Sequence, residues 1–173
     1  MIKLNLGAGQ TKVEGFISVD LYGEPEQRVD LFKFPYPWED NSVDEIICNH
    51  FLEHIDGSIR PKFFNELYRI LKKDGKVTIV TPHWAAERAY GDPSHRWPPI
   101  TRFSYLYLNK QWREQNKIDH YSDFNCNFNW GANYSLNSSL TGRSQEYVQR
   151  ASETQINVID DLVVMLSPIH ESV

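Results

Sequence analysis

A strand, a helix and a second strand follow one another between residues 45 and 81, and this succession most constrains the fold. Glu45–Asn49 is an apolar run with little alternation, which is typical of a strand covered on both faces of a sheet. Apolar side chains recur at helical spacing from Pro61 to Lys73, and the β-prone run Lys76–Thr81 follows directly. We therefore predict a βαβ unit within an α/β fold that has a mostly parallel sheet.

The ends of this helix are marked by residues typical of helix termini. Ser58 and Pro61 indicate its start, whereas Lys72, Lys73 and Gly75 indicate its end. Shorter β-prone runs precede it, as expected for the first strands of the same sheet. These three runs are Ile2–Leu6, Phe16–Asp20 and Arg28–Leu31.

The second half of the chain is less regular than the first. Residues 83–134 hold 12 of the 23 aromatic side chains with weak periodicity, which is more typical of a substrate-side insertion than of another αβ layer. A helix is predicted near Gln145–Glu153, and Leu162–Leu166 is strongly β-prone. With 173 residues the chain is expected to form a single domain. Its parts are a regular half at 1–82, the insertion at 83–134 and a C-terminal strand region at 135–173.

Charge, cysteine content and hydropathy exclude several classes of protein. Eighteen basic and 23 acidic residues give a net charge of −5, which argues against broad electrostatic binding of nucleic acid or anionic membranes. Cys48 and Cys126 are too few for a disulfide framework, and their spacing matches no zinc pattern. No apolar run approaches the ~20 residues of a membrane span. The N-terminus shows no secretion-signal pattern, so we expect a cytoplasmic protein.

A glycine turn and an aspartate give the first indication of a binding site. Leu6-Gly7-Ala8-Gly9 closes the first predicted strand, and its glycines let the backbone turn sharply and approach a ligand. Asp20 closes the second strand, where a carboxylate can accept hydrogen bonds from ribose hydroxyls. Position 12 is Lys rather than the third glycine of a dinucleotide fingerprint, so pyrophosphate binding is disfavoured.

Several motifs, in this order along the chain, resemble those of the class I S-adenosylmethionine-dependent methyltransferases. Leu52-Glu53-His54 after the fourth strand and the run 71–75 before the fifth are specific in combination. Tyr90-Gly-Asp-Pro-Ser-His95 also resembles a segment of small methyltransferases that accompany surface-glycan genes or occur in phages. The resemblance implies a Rossmann-like methyltransferase sheet with an abridged N-terminus and an aromatic-rich insertion. The matching segments are Leu4–Gly9, Val19–Leu21, Trp38–Ile46, Asn49–His54, Glu66–Gly75 and Val77–Pro82.

The same resemblance implies that residues 1–82 bind S-adenosylmethionine at the carboxyl ends of the parallel strands. Ten residues are carried over from the matching motifs, grouped by the part of the cofactor that they would contact. They are Leu6, Gly7, Ala8 and Gly9 for the methionine part, Asp20 and Leu21 for the ribose, Asp30 and Leu31 for the adenine, and Asn49 and His50 for the sulfonium and its methyl group.

The expected reaction is methyl transfer to a small molecule or a glycan. The sulfonium is already activated, so the protein has to hold donor and acceptor in line, and a base is needed only where the acceptor loses a proton. Candidate bases are His83, Asp92, His95 and Tyr105, of which His95 is favoured, although Asp92 and His95 could instead cap turns around Pro93. Nucleic acid is not expected as a partner, because no Asn/Asp-Pro-Pro-aromatic run follows the fourth strand.

Two alternatives stay open beside this hypothesis. His50-Phe-Leu-Glu-His54 matches the H-x-x-E-H pattern of zinc peptidases, but it begins at a strand end and no third ligand is evident, so we expect no metal. The other alternative binds S-adenosylmethionine or S-adenosylhomocysteine without catalysis. It is suggested by the missing N-terminal cover and by the six residues between Gly9 and Phe16, which are too few for the usual helix. The cofactor carboxylate would then meet loop amides, and the oligomeric state stays open.

Overall fold

One seven-stranded sheet organises the chain, and the computed structural model describes residues 1–118 and 123–170 of it. The strands, in chain order, are β1 (Lys3–Leu6), β2 (Ile17–Asp20), β3 (Gln27–Arg28), β4 (Val43–Asn49), β5 (Leu71–Pro82), β6 (Phe128–Leu136) and β7 (Ile159–Pro168). Their spatial order is β3-β2-β1-β4-β5-β7-β6. The first five strands pair in parallel, whereas β7 runs antiparallel to both β5 and β6. The predicted α/β class with a mostly parallel sheet is confirmed.

The helices in the described residues are short apart from two. They are α1 (Arg60–Ile70), α2 (Arg88–Gly91), α3 (Lys110–Gln115) and α4 (Gln145–Thr154), with 3₁₀ helices at Leu52–His54, Arg102–Leu108 and Ser138–Leu140. Helix α1 is the crossover of the predicted βαβ unit between β4 and β5. Its Phe63, Leu67 and Ile70 are fully buried in the same core cluster as the strands. Burial of one such side chain stabilises the fold by about 1.5–3 kcal/mol, so α1 is anchored along one face.

The end of α1 lies earlier than the sequence predicts. The helix stops at Ile70, and Leu71 already belongs to β5, so Lys72, Lys73 and Gly75 are strand residues. The backbone N–H groups of Asn41 and Ser42 donate to the carbonyls of Arg69 and Ile70. These bonds satisfy helix-end carbonyls that another helical turn would have used, which explains the early end.

The third strand is also shorter than predicted. It consists of Gln27 and Arg28 only, so Asp30 and Leu31 lie in the turn that follows it. The Asp30 carboxylate accepts a hydrogen bond from the backbone N–H of Phe32 at 3.1 Å, and the Lys33 N–H donates to the Asp30 carbonyl at 3.0 Å. This compact turn ends the strand because its backbone groups are satisfied locally.

The aromatic segment only partly lies outside the sheet. Residues 83–118 form α2, a 3₁₀ helix and α3, residues 119–122 lie outside the described residues, and residues 128–134 belong to β6. The buried guanidinium of Arg60 fixes this segment to the start of α1. It donates to the carbonyls of Ile55, Arg96 and Pro98 at 2.6–3.0 Å. The segment is therefore tied to the carboxyl edge of the sheet by hydrogen bonds as well as by packing.

Candidate functional site

A cleft opens where the carboxyl ends of β1, β2 and β4 meet, and we call it the strand-end cleft. Its volume is about 310 Å³. Parallel strands that diverge at this edge of an open α/β sheet leave such a crevice between their terminal loops. The lining residues are Gly7, Asp20, Leu21, Tyr22, Leu31, Phe32, His50, Phe51 and His54.

Gly7 is required by the backbone at the bottom of this cleft. Its φ of +68° lies in the left-handed region, which favours glycine. A Cβ atom at this position would lie 2.4 Å from Cγ of Phe51, a distance that no real contact tolerates. The N–H groups of Gly7 and Ala8 both donate to the Val19 carbonyl, at 2.9 and 3.1 Å. Because Gly7 has no side chain, the backbone that leaves β1 can pass directly beneath the Phe51 ring.

Asp20 connects the two loops on either side of the cleft. Its Oδ2 accepts a hydrogen bond from the backbone N–H of Gly9 at 2.8 Å, and its Oδ1 accepts one from Tyr22 at 3.0 Å. An ionised carboxylate has about four acceptor positions, so two protein bonds leave room for ligand hydroxyls. Asp20 thus shapes the glycine turn and still faces the cleft as an acceptor.

The opposite wall of the strand-end cleft is apolar and aromatic. The rings of Phe32 and Phe51 lie 5.6 Å apart, and Leu31 is 2% exposed beside them. The Tyr36 hydroxyl donates to the Leu31 carbonyl at 2.9 Å, which fixes the turn that carries this wall. A flat, weakly polar ring is the kind of group that such a wall can hold.

His50 follows β4 in a backbone conformation that is uncommon for a residue with a side chain. Its φ is +53°, and its N–H donates to the Val80 carbonyl at 2.8 Å. A left-handed conformation at a non-glycine residue costs about 1 kcal/mol or more, and such residues cluster at functional sites. The ring stands between two carboxylates, with Nδ1 3.4 Å from Glu53 Oε1 and Nε2 3.9 Å from Asp161 Oδ1.

A second, larger cleft adjoins the first, and we call it the polar cleft. Its volume is about 730 Å³, and it shares the walls formed by His50 and His54 with the strand-end cleft. Most of its lining residues have charged or polar side chains, and they come from the β4 loop and the segment around α2. The lining residues are His50, Glu53, His54, Pro82, Glu87, Arg88, Gly91, Asp92, Pro93 and His95.

Hydrogen bonds orient the side chains on one side of the polar cleft. The Ser94 hydroxyl donates to Asp92 Oδ1 at 2.6 Å and lies 3.1 Å from His54 Nδ1. The side-chain and backbone donors of Ser94 hold the pKa of the Asp92 carboxyl below its usual range. His95 Nδ1 lies 3.2 Å from the Ala89 carbonyl, and the His54 and His95 rings are 4.9 Å apart, edge to face.

An apolar cavity of about 630 Å³ adjoins the polar cleft at α2. The two share Glu87 and Gly91. The rings of Trp84 and Tyr90, which are 49% and 57% exposed, line this cavity together with Ile156. Exposed aromatic faces next to a charged cleft give the site both a stacking surface and polar contacts.

The structure brings together half of the residues predicted to contact the cofactor. Gly7, Asp20, Leu21, Leu31 and His50 all line the strand-end cleft. The other five do not line it. Leu6 and Ala8 are buried, Gly9 faces a separate cavity beside Lys12, Asp30 bonds to its own turn, and Asn49 is exposed at the end of β4.

The four candidate bases fall in different places. Asp92 and His95 line the polar cleft, whereas His83 lines neither cleft and packs against Trp84 and Tyr134. Burial lowers the pKa of His83, which favours its neutral form. Tyr105 is 1% exposed, and burial raises the pKa of its hydroxyl above its usual range. A role for Tyr105 as a base is therefore wrong, because the group lies in the core.

Sequence reasoning missed two kinds of site residue. Phe32 and Phe51 form the aromatic wall, and their only signal was their position directly after Leu31 and His50. Glu53 and His54 were recognised as a motif but were not assigned to a cleft. Their position beside His95 depends on a contact between segments 41 residues apart, which no local pattern encodes.

Comparison with known proteins is consistent with this geometry. Residues 21–79 match the model of a methyltransferase domain. No curated protein sequence matches the chain significantly. The matched stretch contains the walls of the strand-end cleft from Leu21 through His54, together with α1 and most of β5.

Solved structures share the fold along nearly the whole chain. A methyltransferase from Archaeoglobus fulgidus that depends on S-adenosylmethionine aligns with 95% of this chain and 84% of its own length, at a TM-score of 0.64 and 16% identity. Another from Mesorhizobium loti covers 95% and 89%, with a TM-score of 0.52 and 16% identity. Geranyl diphosphate methyltransferase, in complex with S-adenosylmethionine, covers 97% and 78%, with a TM-score of 0.55 and 13% identity. The fold is that of the Rossmann-like methyltransferases.

The matched domain and the shared fold support S-adenosylmethionine as the cofactor expected from the sequence. They leave the acceptor undefined, because identities of this size establish a fold and not a substrate. Among the described residues, no helix is both long enough and apolar enough to cross a bilayer.

Proposed function

We propose that this chain is an S-adenosylmethionine-dependent methyltransferase that acts on a small-molecule or glycan acceptor. The observation that carries the proposal is the meeting of the strand-end cleft and the polar cleft at His50 and His54. The first cleft would hold the donor, and the second would hold the acceptor. Methyl transfer from a sulfonium depends mainly on such placement of the two reactants.

The donor would be held by the five predicted residues that line the strand-end cleft. Asp20 would accept hydrogen bonds from the ribose hydroxyls, and Leu21 and Leu31 would contact the adenosyl group. Gly7 would allow the methionine part to approach the backbone, and His50 would face the sulfonium at the junction of the clefts. Within the described stretch 10–16 no helix forms, so the cofactor carboxylate would meet loop amides.

The lining of the polar cleft supports a small polar acceptor. Glu53, Glu87 and Asp92 outnumber the single guanidinium of Arg88, so the cleft disfavours a polyanionic backbone such as nucleic acid. Trp84 and Tyr90 offer exposed ring faces on which a sugar or an aromatic acceptor can stack. Asp92 and His95 are the candidate catalytic groups placed to act on such an acceptor. A cytoplasmic location and the similarity to glycan-cluster and phage enzymes stay predictions.

Calorimetry with S-adenosylhomocysteine tests the donor site directly. Saturable binding to the native chain is expected. Asp20→Asn should weaken it about 10- to 100-fold, because a hydrogen bond to a charged group contributes about 1.5–3 kcal/mol. Asp74→Asn, at the opposite edge of the sheet near the start of β5, is the matched control and should bind normally. Unaltered binding by Asp20→Asn, or no heat from the native chain, would reject the proposed donor site.

A transfer assay separates the enzyme from a protein that only binds the cofactor. The chain is incubated with donor labelled in its methyl group and with a panel of sugars, nucleotide sugars and phenols, and the products are analysed by mass spectrometry. We expect an acceptor to gain one methyl group, in amounts that fall with Asp20→Asn. Tight cofactor binding without transfer to any acceptor would favour the binding-only alternative.

A further inference from the structure

We propose that Glu53, His54 and His95 form a binding site for a divalent transition-metal ion in the wall of the polar cleft. One carboxylate oxygen and one ring nitrogen from each histidine lie within 4.8 Å of one another. A carboxylate with two imidazoles and an open side is a recurrent ligand set for zinc and related first-row metals. The ion's role in transfer rests on the proposed function, whereas the site itself does not.

The buried carboxylate of Glu53 points to a cation independently of the cluster. The residue is 7% exposed, and its Oε2 lies buried without a hydrogen-bond partner among the described residues. Its other oxygen faces His50 Nδ1 at 3.4 Å. A buried carboxylate oxygen with no donor is costly, because the lost hydration is not replaced. A metal ion is one group that satisfies it.

The hydrogen bonds around the two histidines prepare their ring nitrogens for coordination. The Ser94 hydroxyl gives its only proton to Asp92, so it has to accept from His54 Nδ1. The Ala89 carbonyl can only accept, so His95 Nδ1 has to donate to it. In both neutral rings Nε2 then carries the free lone pair. Metal-binding histidines are commonly fixed in this way, through the nitrogen that does not bind the metal.

The distances require only a small adjustment on binding. Zinc lies about 2.0–2.2 Å from nitrogen and oxygen ligands, so ligand atoms around one ion are roughly 3–4 Å apart. The three ligand atoms lie within 4.8 Å of one another, and small rotations of the side chains would bring them to this separation. The set takes Glu53 and His54 from the His50–His54 motif, adds His95 from the segment after β5 and leaves out His50, so the motif alone could not predict it.

A metal in this wall would act on an oxygen acceptor. A hydroxyl bound to the ion has a lowered pKa and releases its proton to solvent through the open cleft. The oxygen lone pair then forms the O–CH₃ bond as the S–CH₃ bond breaks, and the bonding pair stays on sulfur in S-adenosylhomocysteine. His95 would act on the acceptor through the ion rather than as a base. This reaction narrows the acceptor to an alcohol, a phenol or a sugar hydroxyl.

Titration of the tag-free, chelator-treated full chain with ZnCl₂ tests the site. We expect one ion per chain, with affinity falling at least tenfold in Glu53→Gln and in His95→Ala. His170→Ala is the matched control, because His170 stacks on Tyr68 beyond the end of β7, at the opposite edge of the sheet, and it should bind zinc normally. X-ray absorption of the loaded protein should show nitrogen and oxygen neighbours only.

Binding of S-adenosylhomocysteine by His95→Ala separates the two proposals, since His95 does not line the strand-end cleft. Retained cofactor binding together with lost zinc binding supports the metal site. Absence of zinc binding by the native chain, or equal zinc affinity in His95→Ala and His170→Ala, overturns the metal site and leaves the donor site intact. If the native chain binds zinc but does not bind S-adenosylhomocysteine, the metal site is supported and the proposed function is rejected.

Discussion

The strand-end cleft and the polar cleft share two histidines but are built in different ways. The strand-end cleft is lined by loops that directly follow β1, β2, β3 and β4, so each wall is next to a strand of the parallel sheet. The polar cleft joins the loop after β4 to the segment around α2. Arg60 links the two by donating to the Ile55 carbonyl of the loop and to the Arg96 and Pro98 carbonyls of the segment. The difference teaches that one site follows from sheet topology, whereas the other depends on how a long segment docks.

Replacing Gly7 by Val is expected to have the largest effect, and it should affect the strand-end cleft much more than the polar cleft. The new Cβ would collide with the Phe51 ring at a positive φ. Binding of S-adenosylhomocysteine should weaken beyond about 1,000-fold, equivalent to ~4 kcal/mol, in calorimetry. Zinc binding in the polar cleft should weaken far less than cofactor binding, and retained zinc binding shows that the variant is folded.

Gly131→Val is the control for Gly7→Val, because Gly131 is exposed in β6 and a Cβ there meets nothing within 4 Å. It should bind the cofactor as the native chain does. Native affinity in Gly7→Val would contradict the close approach of ligand and backbone proposed for this turn.

Arg60→Met should disrupt the polar cleft, with an effect smaller than that of Gly7→Val and larger than that of Ser94→Ala. The change removes donors from the Ile55, Arg96 and Pro98 carbonyls and should lower the free energy of unfolding by about 2–3 kcal/mol in urea denaturation. Zinc affinity should fall because the segment that carries His95 is released. Binding of S-adenosylhomocysteine should change far less. Exposed Arg102→Met is the control, and equal stability of the two variants would argue against the anchoring role.

Ser94→Ala should give the smallest effect, confined to one wall of the polar cleft. Loss of the hydroxyl donor should raise the pKa of Asp92 toward its ordinary range. In the native chain this depressed pKa favours the folded state above the unfolded pKa, and the benefit is lost as pH falls through the folded value. Carbon-detected NMR titration of the carboxyl measures the shift.

Ser58→Ala provides a matched comparison for Ser94→Ala. Ser58 donates to Asp56 from its hydroxyl and its backbone, and these bonds lower the pKa of Asp56 in the same way. That variant should raise the pKa of Asp56 and leave Asp92 unchanged. An unaltered Asp92 in Ser94→Ala would show that the hydroxyl does not hold this carboxylate.

The contrast between the clefts also explains what could be predicted from the sequence. The positions of Gly7, Asp20 and His50 follow from local rules, since glycine and acidic residues at the ends of parallel strands converge on one edge. The predicted end of α1 was wrong because Asn41 and Ser42, which are far from it in sequence, donate hydrogen bonds to its last carbonyls. The contact between His54 and His95 could not be predicted from the sequence for the same reason, because it depends on tertiary contacts across the aromatic segment.

The turn after β4 links the ligand affinities of the two clefts. His50 and His54 lie on one short stretch and line both cavities, so a ligand that moves this stretch in one cavity changes the shape of the other. Such coupling between two binding equilibria is reciprocal, and its size is the same whichever ligand enters first. We therefore expect the adenosyl donor to change the affinity of the polar cleft for the second reactant, and the second reactant to change the affinity for the donor by the same factor.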